Sequence, residues 1–341
     1  MKTVIVTGVT GQDGSHMVDY LLANTDHKII GVVRRLSVPN HENLKHINDQ
    51  RFVLADADIC DPQSITTLIQ KHKPDYFINF AANSFVGSSW EMPLNHMTTN
   101  CLAVMFQLEA IRKFSPSCRY YNAGSSEEFG DVLYSPQDER HPLRPRSPYG
   151  ASKASARHIV KVWRESYGLY AVQGWLFNHE GTRRGIEFVT RKITKGVAKI
   201  KNRLDSGFFF EPIELGNLES KRDWSDAEDF VDGVWLMLNQ NKPKDYVLSS
   251  EETHSVREFV ELSFAAAGIE GIWLGEKGTL DEVYLNKDTR MPMVIVNSKF
   301  FRPAEVELLL GDSTPARTEL GWKPKTSFFQ LVKKMTLADL Q

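Results

Sequence analysis

The chain has 341 residues, enough for one large core or two lobes, and a formal net charge of -2, which gives no basic surplus for binding nucleic acid. No stretch has the length and apolarity of a membrane span, and Thr3–Thr7 is too short for the apolar core of a signal peptide. The cysteines, Cys60, Cys101 and Cys118, are odd in number and lack the spacing of metal ligands, so we expect reduced thiols, no metal site and a cytoplasmic protein.

The first apolar run, Thr3–Thr7, is β-branched and has the length of a strand. It leads into a glycine-rich loop, Gly8–Gly14, and then into a helical pattern with Met17, Val18 and Leu21 on one side. A strand, a glycine loop and a helix in this order are the context that a dinucleotide-binding fingerprint requires. The glycines allow a tight turn and a close approach of the backbone to a pyrophosphate at the helix N-terminus. This stretch therefore predicts a dinucleotide site.

The second apolar run, Ile29–Val33, ends in Arg34 and Arg35. Dinucleotide folds that prefer NAD usually place an acidic residue at this point, whereas arginine suits the additional phosphate of NADP. The alternative is a basic loop tip that meets only solvent. The position at the end of the second strand favours NADP.

Two further strands, with a helix between them, continue the alternation. Phe52–Leu54 leads to Asp56–Ile59, which we place at the adenine. Tyr76–Phe80 is followed by Ala81–Ser84, where small residues would let a cofactor lie across the strand ends. Ser64–Lys71 has the pattern of a helix. Strands that alternate with helices predict an α/β fold with a parallel, doubly wound sheet of Rossmann type.

Hydroxyls and carboxylates follow the next strand, Cys118–Ala123. The segment after it, Gly124–Gly130, contains Ser125, Ser126 and Glu127. Ligands bind at the carboxyl ends of strands in such sheets, so these side chains are candidates for the site. The alternative is a capping turn, with serine at the N-cap and glutamate in the first turn.

Tyr149 and Lys153 lie one turn apart on a helix that Pro148 can start. An ammonium close to a phenol stabilises the phenolate and lowers its pKa from about 10. Such a tyrosine can exchange a proton with a substrate hydroxyl near neutral pH. For the pair taken alone, the alternative is an ordinary exposed tyrosine and lysine.

After a further strand at Ala171–Phe177, the regular alternation stops. The helical segments Val189–Lys201 and Asp226–Leu238 lie among loops. We therefore place a dinucleotide-binding domain at 1–177 and a smaller α/β substrate lobe, partly interleaved with it, at 178–341.

Two later segments, Leu215–Trp224 and Phe301–Val306, each combine an arginine with polar groups. Arginine forks suit a diphosphate or a nucleobase. Either arginine could instead form a structural ion pair, and the residues alone leave both interpretations open.

Taken together, these motifs resemble the GDP-mannose 4,6-dehydratases, within the extended short-chain dehydrogenase/reductase family of nucleotide-sugar enzymes. The resemblance runs along essentially the whole chain. Its most specific segments are Gly8–Gly14 with Arg34 and Arg35, Ser126 with Glu127, Ser147–Lys153, Arg164–Gly168, Leu176–Glu180, Phe188–Thr194, Arg222–Trp224 and Arg302–Val306.

The resemblance implies roles for individual residues. The catalytic residues would be Ser125, Glu127, Tyr149 and Lys153. The contacts to NADP would be Gly8, Thr10, Gly11, Gln12, Asp13, Gly14, Arg34, Arg35, Asp58, Ile59, Ala82, Ser84, Tyr149, Lys153, His179 and Arg184. The contacts to the GDP-sugar would be Ser84, Ser125, Ser126, Glu127, Asn178, Lys192, Arg222, Arg302 and Glu305.

The reaction that the resemblance implies is an internal oxidation and reduction of GDP-mannose. Tyr149 takes the C4 hydroxyl proton while hydride leaves C4 for the nicotinamide. Glu127 then takes the C5 proton and assists loss of the C6 hydroxyl as water, and hydride returns to C6. The product is GDP-4-keto-6-deoxy-mannose.

The chain departs from the family pattern at a few positions. Ser125 stands where the family has threonine, Gly124 where it has serine, and Asn95 where it has a tyrosine that contacts the cofactor. The loop Leu36–His41 also differs from the serine-rich form that in relatives helps to pack subunits around NADP.

We expect a homo-oligomer, at least a dimer, through the helix of Tyr149–Lys153 and the helix before it. Both carry apolar residues on more than one side, namely Met105, Phe106, Ile159 and Trp163. The resemblance implies a tetramer joined at the loop 35–43.

Alternative functions for the same motifs are an epimerase, a reductase, a nucleotide-sugar decarboxylase or an NADP-binding regulator. Glu127 counts against the first two, the later GDP-type motifs against the third, and the presence of Tyr149 with Lys153 against the last. The same dehydration of another GDP-sugar, such as GDP-manno-heptose, stays open.

Overall fold

The computed structural model describes residues 1–300 and 308–341 of the chain. The strands are β1 (Thr3–Thr7), β2 (Lys28–Val33), β3 (Phe52–Asp56), β4 (Tyr76–Asn79), β5 (Arg119–Ala123), β6 (Ala171–Leu176), β7 (Asn178–Glu180), β8 (Ile213–Leu215), β9 (Lys221–Arg222), β10 (Trp224–Asp226), β11 (Val247–Leu248), β12 (His254–Ser255), β13 (Gly271–Leu274), β14 (Val283–Asn286), β15 (Pro292–Val296) and β16 (Leu308–Leu309). The α-helices are α1 (Gln12–Asn24), α2 (Pro62–His72), α3 (Pro93–Met97), α4 (Ala103–Phe114), α5 (Pro148–Tyr167), α6 (Val189–Asp205), α7 (Ala227–Leu238), α8 (Val256–Ala266), α9 (Thr314–Glu319) and α10 (Phe328–Leu340). Among these helices, none is both long enough and apolar enough to cross a membrane.

The central sheet has seven parallel strands in the order β11-β6-β5-β4-β1-β2-β3. This confirms the predicted parallel, doubly wound sheet of Rossmann type. The connections reverse direction at β1, which lies between β2 and β4, and ligands bind at such a switch point. The sequence analysis does not predict β11, a two-residue edge strand that pairs with β6.

Helices cover both faces of this sheet, because successive side chains of a strand point to opposite sides. In β1, Val4 and Val6 pack with α1 and α7, whereas Ile5 packs with α2, α4 and α5. All three side chains are fully buried. Strands buried on both faces form continuous apolar runs, which is why β1 can be recognised in the sequence.

The second half of the chain forms a smaller core around α6, α8 and α10, which pack with the four-stranded sheet β13-β14-β15-β8. Two elements from this half join the first core instead. Helix α7 packs on α1, and β11 extends the central sheet. The polypeptide therefore crosses between the two cores more than once.

Helix α5, which carries Tyr149 and Lys153, begins at Pro148, as the sequence predicts. The Ser147 hydroxyl accepts a hydrogen bond from the Gly150 N–H at 3.0 Å, and Pro148 is at the first helical position. Gly168 ends the helix in the left-handed conformation, with φ +68°.

Candidate active site

A cleft of about 1730 Å³ lies at the carboxyl ends of the central strands and is lined by both halves of the chain. It brings together the residues that the resemblance assigns to cofactor, substrate and catalysis, apart from Arg302 and Glu305, which lie outside the described residues. Those on the cleft wall are Gly8, Thr10, Gly11, Gln12, Asp13, Gly14, Arg34, Arg35, Asp58, Ile59, Ala82, Ser84, Ser125, Ser126, Glu127, Tyr149, Lys153, Asn178, His179, Arg184, Lys192 and Arg222. Their positions are observed, and their individual roles stay predictions.

The glycine loop leaves the N-terminus of α1 open to a ligand. Gly8 has φ +67°, and a Cβ there would lie 2.6 Å from the backbone nitrogen of Ala81. A Cβ on Gly14 would lie 2.3 Å from the carbonyl oxygen of Gly8. The N-cap is Gly11, so no side chain of its own caps the first N–H groups of α1. These N–H groups and the positive end of the helix dipole suit a pyrophosphate.

Asp13 and His179 join the glycine loop to β7. Nε2 of His179 lies 2.9 Å from Oδ2 of Asp13, and Nε2 of Gln12 donates hydrogen bonds to Oδ1 of Asp13 and to the His179 carbonyl. Burial raises the pKa of Asp13. The charge and hydrogen bond of His179 more than offset this, so the pKa of Asp13 lies well below its usual value. Burial lowers the pKa of His179, but Asp13 more than offsets this and raises it. Each group therefore stabilises the charged form of the other.

Arg34 and Arg35 follow β2 and are exposed on the cleft wall. The loop after them is tied to the glycine loop, because Nδ2 of Asn43 donates a hydrogen bond to the Thr10 carbonyl at 2.9 Å. Two exposed guanidinium groups beside the open N-terminus of α1 are suitable for binding a phosphate.

Tyr149, Lys153 and Ser125 meet on one part of the cleft wall. Tyr149 and Lys153 are only 7% and 4% exposed, so the alternative of an exposed pair is wrong. Nζ of Lys153 donates a hydrogen bond to the Ala123 carbonyl at 2.8 Å and lies 5.9 Å from the centroid of the Tyr149 ring. Ser125 lies beside Tyr149 on the cleft wall, and its side chain lowers the pKa of Tyr149.

The expected lowering of the Tyr149 pKa by Lys153 is wrong for the protein alone. Burial raises the pKa of Tyr149, the side chain of Ser125 offsets part of this, and Glu127 and Glu128 raise it further. Burial also lowers the pKa of Lys153 to about 8. The helical spacing does bring the two side chains together, but the ammonium forms its hydrogen bond with backbone instead of with the phenol.

The two carboxylates after β5 have different surroundings. Glu128 is fully buried and forms a capping box with Ser125, whose N–H donates to Oε1 of Glu128 at 2.8 Å. Glu127 is partly buried and lines the cleft. The capping interpretation therefore applies to Ser125 and Glu128, and Glu127 is the carboxylate positioned to meet a ligand.

The second half of the chain gives the other end of the cleft cationic and aromatic groups. Nζ of Lys192 lies 3.5 Å from the ring centroid of Phe300, and burial lowers the pKa of Lys192. Arg222 is 7% exposed, and its Nη1 donates to the Lys221 carbonyl at 2.8 Å. Oδ1 of Asn178 is buried without a hydrogen-bond partner among the described residues, as an atom that meets a ligand can be.

The sequence analysis does not identify every residue around the cleft. Lys299 and Phe300 lie on its wall, and their only sequence signal is that they precede the Phe301–Val306 segment. Arg157 lies behind the wall, beside Glu128. Its signal is the spacing of four residues from Lys153, which puts both side chains on one face of α5.

Two departures from the family pattern fit their surroundings. Oδ1 of Asn95 accepts a hydrogen bond from Nδ2 of Asn83, whose N–H donates to Oδ1 of Asn100 at 2.9 Å. A Cβ on Gly124 would lie 2.2 Å from the Gly174 carbonyl oxygen, so a serine does not fit there without movement of the backbone.

Solved structures of low sequence identity share the fold. The RMD protein of Pseudomonas aeruginosa, complexed with NADPH, is 22% identical, with a TM-score of 0.78 over 100% of this chain and 99% of that one. The dTDP-glucose 4,6-dehydratase of Bacillus anthracis, in complex with NAD, is 20% identical, with a TM-score of 0.79 over 99% and 96%.

Curated relatives are more similar and match along the whole chain. The GDP-mannose 4,6-dehydratases of Drosophila melanogaster and Homo sapiens are 42% and 40% identical over 100% of this chain and 86% and 92% of their own lengths. That of Vibrio cholerae is 38% identical over 100% and 94%. The family model described as GDP-mannose 4,6 dehydratase matches residues 5–335. The chain belongs to the GDP-mannose 4,6-dehydratase family.

Proposed function

We propose that this protein is a hydro-lyase that converts GDP-mannose to GDP-4-keto-6-deoxy-mannose. The observation that carries the proposal is that Glu127 lines the same cleft as Ser125, Tyr149 and Lys153. A tyrosine and a lysine support oxidation of a sugar hydroxyl, but loss of water across C5 and C6 needs a further acid–base group. The similarity along the whole chain to GDP-mannose 4,6-dehydratases supports the same reaction.

NADP is the cofactor we infer. The site fits it, because a Cβ at Gly8 or Gly14 would clash with backbone, and because the open N-terminus of α1 suits a pyrophosphate. Arg34 and Arg35 would hold the additional phosphate, and Lys153 the ribose next to the nicotinamide. When bound, a nicotinamide dinucleotide supplies reversible hydride exchange with the sugar, at C4 and then at C6.

The GDP end of the substrate would lie in the second half of the cleft. Lys192 and Arg222 offer cationic groups to the diphosphate or the guanine. Asn178 offers an amide oxygen that has no hydrogen-bond partner in the part of the chain that the structure describes. Arg302 and Glu305 belong to the same proposal through the resemblance.

In the first half of the reaction, Tyr149 takes the proton of the C4 hydroxyl as C4 is oxidised to a ketone. Ser125, which lines the cleft beside Tyr149, hydrogen-bonds the same oxygen. Burial raises the pKa of Tyr149, so its phenolate form needs a nearby positive charge. Lys153, with a pKa of about 8, is largely charged at neutral pH and supplies one.

In the second half, Glu127 removes the C5 proton, which the new C4 ketone has made acidic. Glu127 passes this proton to the C6 hydroxyl, which leaves as water. The resulting C5–C6 double bond gains hydride at C6 and, at C5, a proton that replaces the one Tyr149 took from the C4 hydroxyl, which returns Tyr149 to its starting form and gives the 4-keto-6-deoxy sugar. Oxidation at C4 and reduction at C6 balance, so no net oxidant or reductant is consumed.

The test is to mix the protein with GDP-mannose and to follow sugar products and the absorbance of reduced cofactor together. We expect release of GDP-4-keto-6-deoxy-mannose with no net change in NADP. An epimerised product, or net consumption of reduced cofactor, would contradict a dehydratase. If the protein dehydrates GDP-manno-heptose but not GDP-mannose, the assigned substrate changes and the assigned reaction, 4,6-dehydration, stays the same.

Replacing Arg34 and Arg35 by alanine should weaken NADP binding and leave NAD binding nearly unchanged. A charged hydrogen bond contributes about 1.5–3 kcal/mol, less where the arginine is exposed, so we expect the NADP Kd to rise by at least about tenfold. Calorimetry with both cofactors measures this. Arg203→Ala, an exposed arginine of α6 away from the cleft, is the matched control. Equal affinities of the unaltered protein for NADP and NAD would remove the assignment.

We also propose that the protein is at least a dimer through α4 and α5. Val162 and Tyr167 on α5 are 49% and 52% exposed, and Leu102, just before α4, is 38% exposed. The predicted Met105, Phe106, Ile159 and Trp163 are half-buried on the same helices. Apolar groups exposed together on neighbouring helices suit a second copy of the chain.

Light scattering at low protein concentration should therefore give at least the mass of a dimer. Val162→Lys should shift the protein towards the monomer, because a charge placed in an apolar interface must be desolvated without a partner. Phe329→Lys, at a 57% exposed position on α10, should leave the mass unchanged. A stable, active monomer of the unaltered chain would contradict the proposal.

A further inference from the structure

Glu128 and Arg157 form a buried ion pair directly behind the turn Ser125–Glu128, which follows β5. Oε2 of Glu128 lies 2.5 Å from Nε of Arg157, and the two side chains are 0% and 6% exposed. The cleft wall includes neither residue, and the proposed mechanism uses neither. Burying two charges is costly and is repaid only where hydrogen bonds satisfy their remaining atoms. The contacts of each partner therefore show what the pair holds in place.

The guanidinium of Arg157 is held by β6 and by the residues around it. Nη1 donates to the Gln173 carbonyl at 2.9 Å, and Nη2 donates to the Gly174 carbonyl at 3.3 Å. The guanidinium carbon lies 3.3 Å from the ring centroid of Trp175. Oδ2 of Asp245 lies 3.4 Å from Nη1. The arginine, and the carboxylate paired with it, are thus fixed to the central sheet.

The carboxylate of Glu128 holds the turn that carries the proposed catalytic groups. Its Oε1 accepts hydrogen bonds from the Ser125 N–H at 2.8 Å and from Nε2 of Gln173 at 3.0 Å. Oγ of Ser125 in turn accepts from the Glu127 N–H at 3.2 Å. Nε2 of Gln173 also donates to the Lys153 carbonyl at 3.2 Å. One buried carboxylate therefore connects the turn, β6 and α5.

We propose that Glu128 and Arg157 are positioning residues for the dehydration: their ion pair fixes Ser125 and Glu127 relative to Tyr149. This inference rests on the proposed function, since it assigns the pair to that reaction. Proton transfer at C4 and then at C5 requires both groups of the turn to stay at fixed distances from one bound sugar. The pair supplies that rigidity from behind the wall, without touching the ligands.

Gly124, the residue before the turn, leaves room for the ion pair because it has no side chain. A Cβ on Gly124 would lie 2.7 Å from Oε1 of Glu128 and 2.8 Å from Nη2 of Arg157, in addition to its contact with the Gly174 carbonyl. The serine that the family resemblance leads one to expect at this position therefore has no room beside the pair. Gly124 and the ion pair therefore form one packed arrangement.

The charge of Glu128 also acts on the reacting groups. Burial lowers the pKa of Lys153 and raises that of Tyr149, and Glu128 raises both. Removal of its charge should lower both pKa values and move both limbs of a bell-shaped rate profile to lower pH. The other titratable or charged groups that face Tyr149 and Lys153 are Asp13 on α1, His96 on α3, Glu127 on the turn and Arg184 after β7.

Two paired replacements separate the hydrogen bond from the charge, and neither leaves an unpaired buried ion. Glu128→Leu with Arg157→Met removes both charges and the acceptor for the Ser125 N–H. We expect kcat on GDP-mannose to fall about 10²-fold, with KM and the NADP Kd nearly unchanged. Glu128→Gln with Arg157→Met keeps an acceptor, and should lower kcat less while shifting the pH profile to lower pH.

The control is a different ion pair, the half-buried Arg51 and Asp49 at the opposite end of the strands. Nη2 of Arg51 lies 2.7 Å from Oδ2 of Asp49, just before β3. Asp49→Asn with Arg51→Met should leave kcat and its pH profile unchanged, even if the protein becomes less stable. An equal loss of kcat in this control would overturn the proposal, because the loss in the Glu128 and Arg157 variants would then be explained by a less stable fold.

Hydrogen–deuterium exchange of the Ser125–Glu128 amides tests the same idea without substrate. We expect exchange at this turn to be at least about tenfold faster in the variant with Leu at 128, because the Ser125 N–H loses its buried acceptor. Unchanged kcat together with unchanged exchange would overturn the positioning role. If Glu128→Leu with Arg157→Met does not fold, the pH profile of kcat is measured on Glu128→Gln with Arg157→Met instead. A pH profile that does not shift in that variant overturns the proposal. If the unaltered protein dehydrates no GDP-sugar, the proposed function fails, and the exchange data still decide the role of the pair.

Discussion

Replacement of Tyr149 by phenylalanine should stop every step of the reaction, including the transient reduction of bound cofactor. The phenol oxygen is the proposed acceptor of the C4 hydroxyl proton, and a positioned acid–base group contributes about 10²–10⁴-fold in rate. Water cannot be lost afterwards, because the C5 proton becomes acidic only when C4 is a ketone. A single-turnover experiment that records reduced cofactor and sugar products measures both effects.

The fold should tolerate this change, because phenylalanine keeps the buried ring. Tyr149 packs edge-on against His96, with centroids 6.1 Å apart and an interplanar angle of 87°. Thermal unfolding and the NADP Kd should therefore stay close to those of the unaltered protein. Tyr134→Phe, at a 45% exposed position outside the cleft and the proposed dimer interface, should leave the rate unchanged. Reduced cofactor formed at the normal rate by Tyr149→Phe would show that another group takes the C4 proton.

Much of the fold could be predicted because its signals are local. The continuous apolar run of β1 and the glycines after it predict a strand, a tight turn and an open helix N-terminus, and the structure contains all three. Pro148 predicts the start of α5 for the same reason, since its fixed φ and missing N–H act within the first turn.

Features that depend on contacts far apart in the sequence could not be predicted. Strand β11 has only two residues, so no periodicity marks it, and it becomes a strand by pairing with β6. Arg157 and Glu128 are 29 residues apart, and the buried ion pair between them exists only once α5 packs on the turn after β5. The sequence presents both as ordinary charged residues.

The candidate site was predictable as a set of residues and less so as chemistry. Most of the residues came from the family resemblance of the motifs, and the fold brings them to one cleft, apart from Arg302 and Glu305, which lie outside the described residues. The direction of the Tyr149 pKa shift was wrong, because spacing along a helix shows that Lys153 is near but not how deeply the phenol is buried. Burial depends on the whole protein, and here it outweighs a single nearby charge.

Replacement of Glu127 by glutamine should divide the reaction into its two halves. Glutamine keeps the shape of the side chain and removes its ability to take a proton, so substrate binding should change little. Oxidation at C4 depends on Tyr149 and should continue, whereas removal of the C5 proton should slow by about 10²–10⁴-fold. The variant should therefore accumulate reduced cofactor and the 4-keto sugar without releasing the 4-keto-6-deoxy product.

Deuterium at C5 of the substrate makes this experiment sharper. If Glu127 removes the C5 proton, the glutamine variant should retain the label in sugar recovered after quenching, whereas the unaltered enzyme should exchange or lose it during turnover. Glu165→Gln, an exposed position on α5 outside the cleft, should behave like the unaltered enzyme. Full dehydration by Glu127→Gln would remove this carboxylate from the mechanism. Loss of C4 oxidation as well would instead give it a part in the first half, which the turn it shares with Ser125 would make possible.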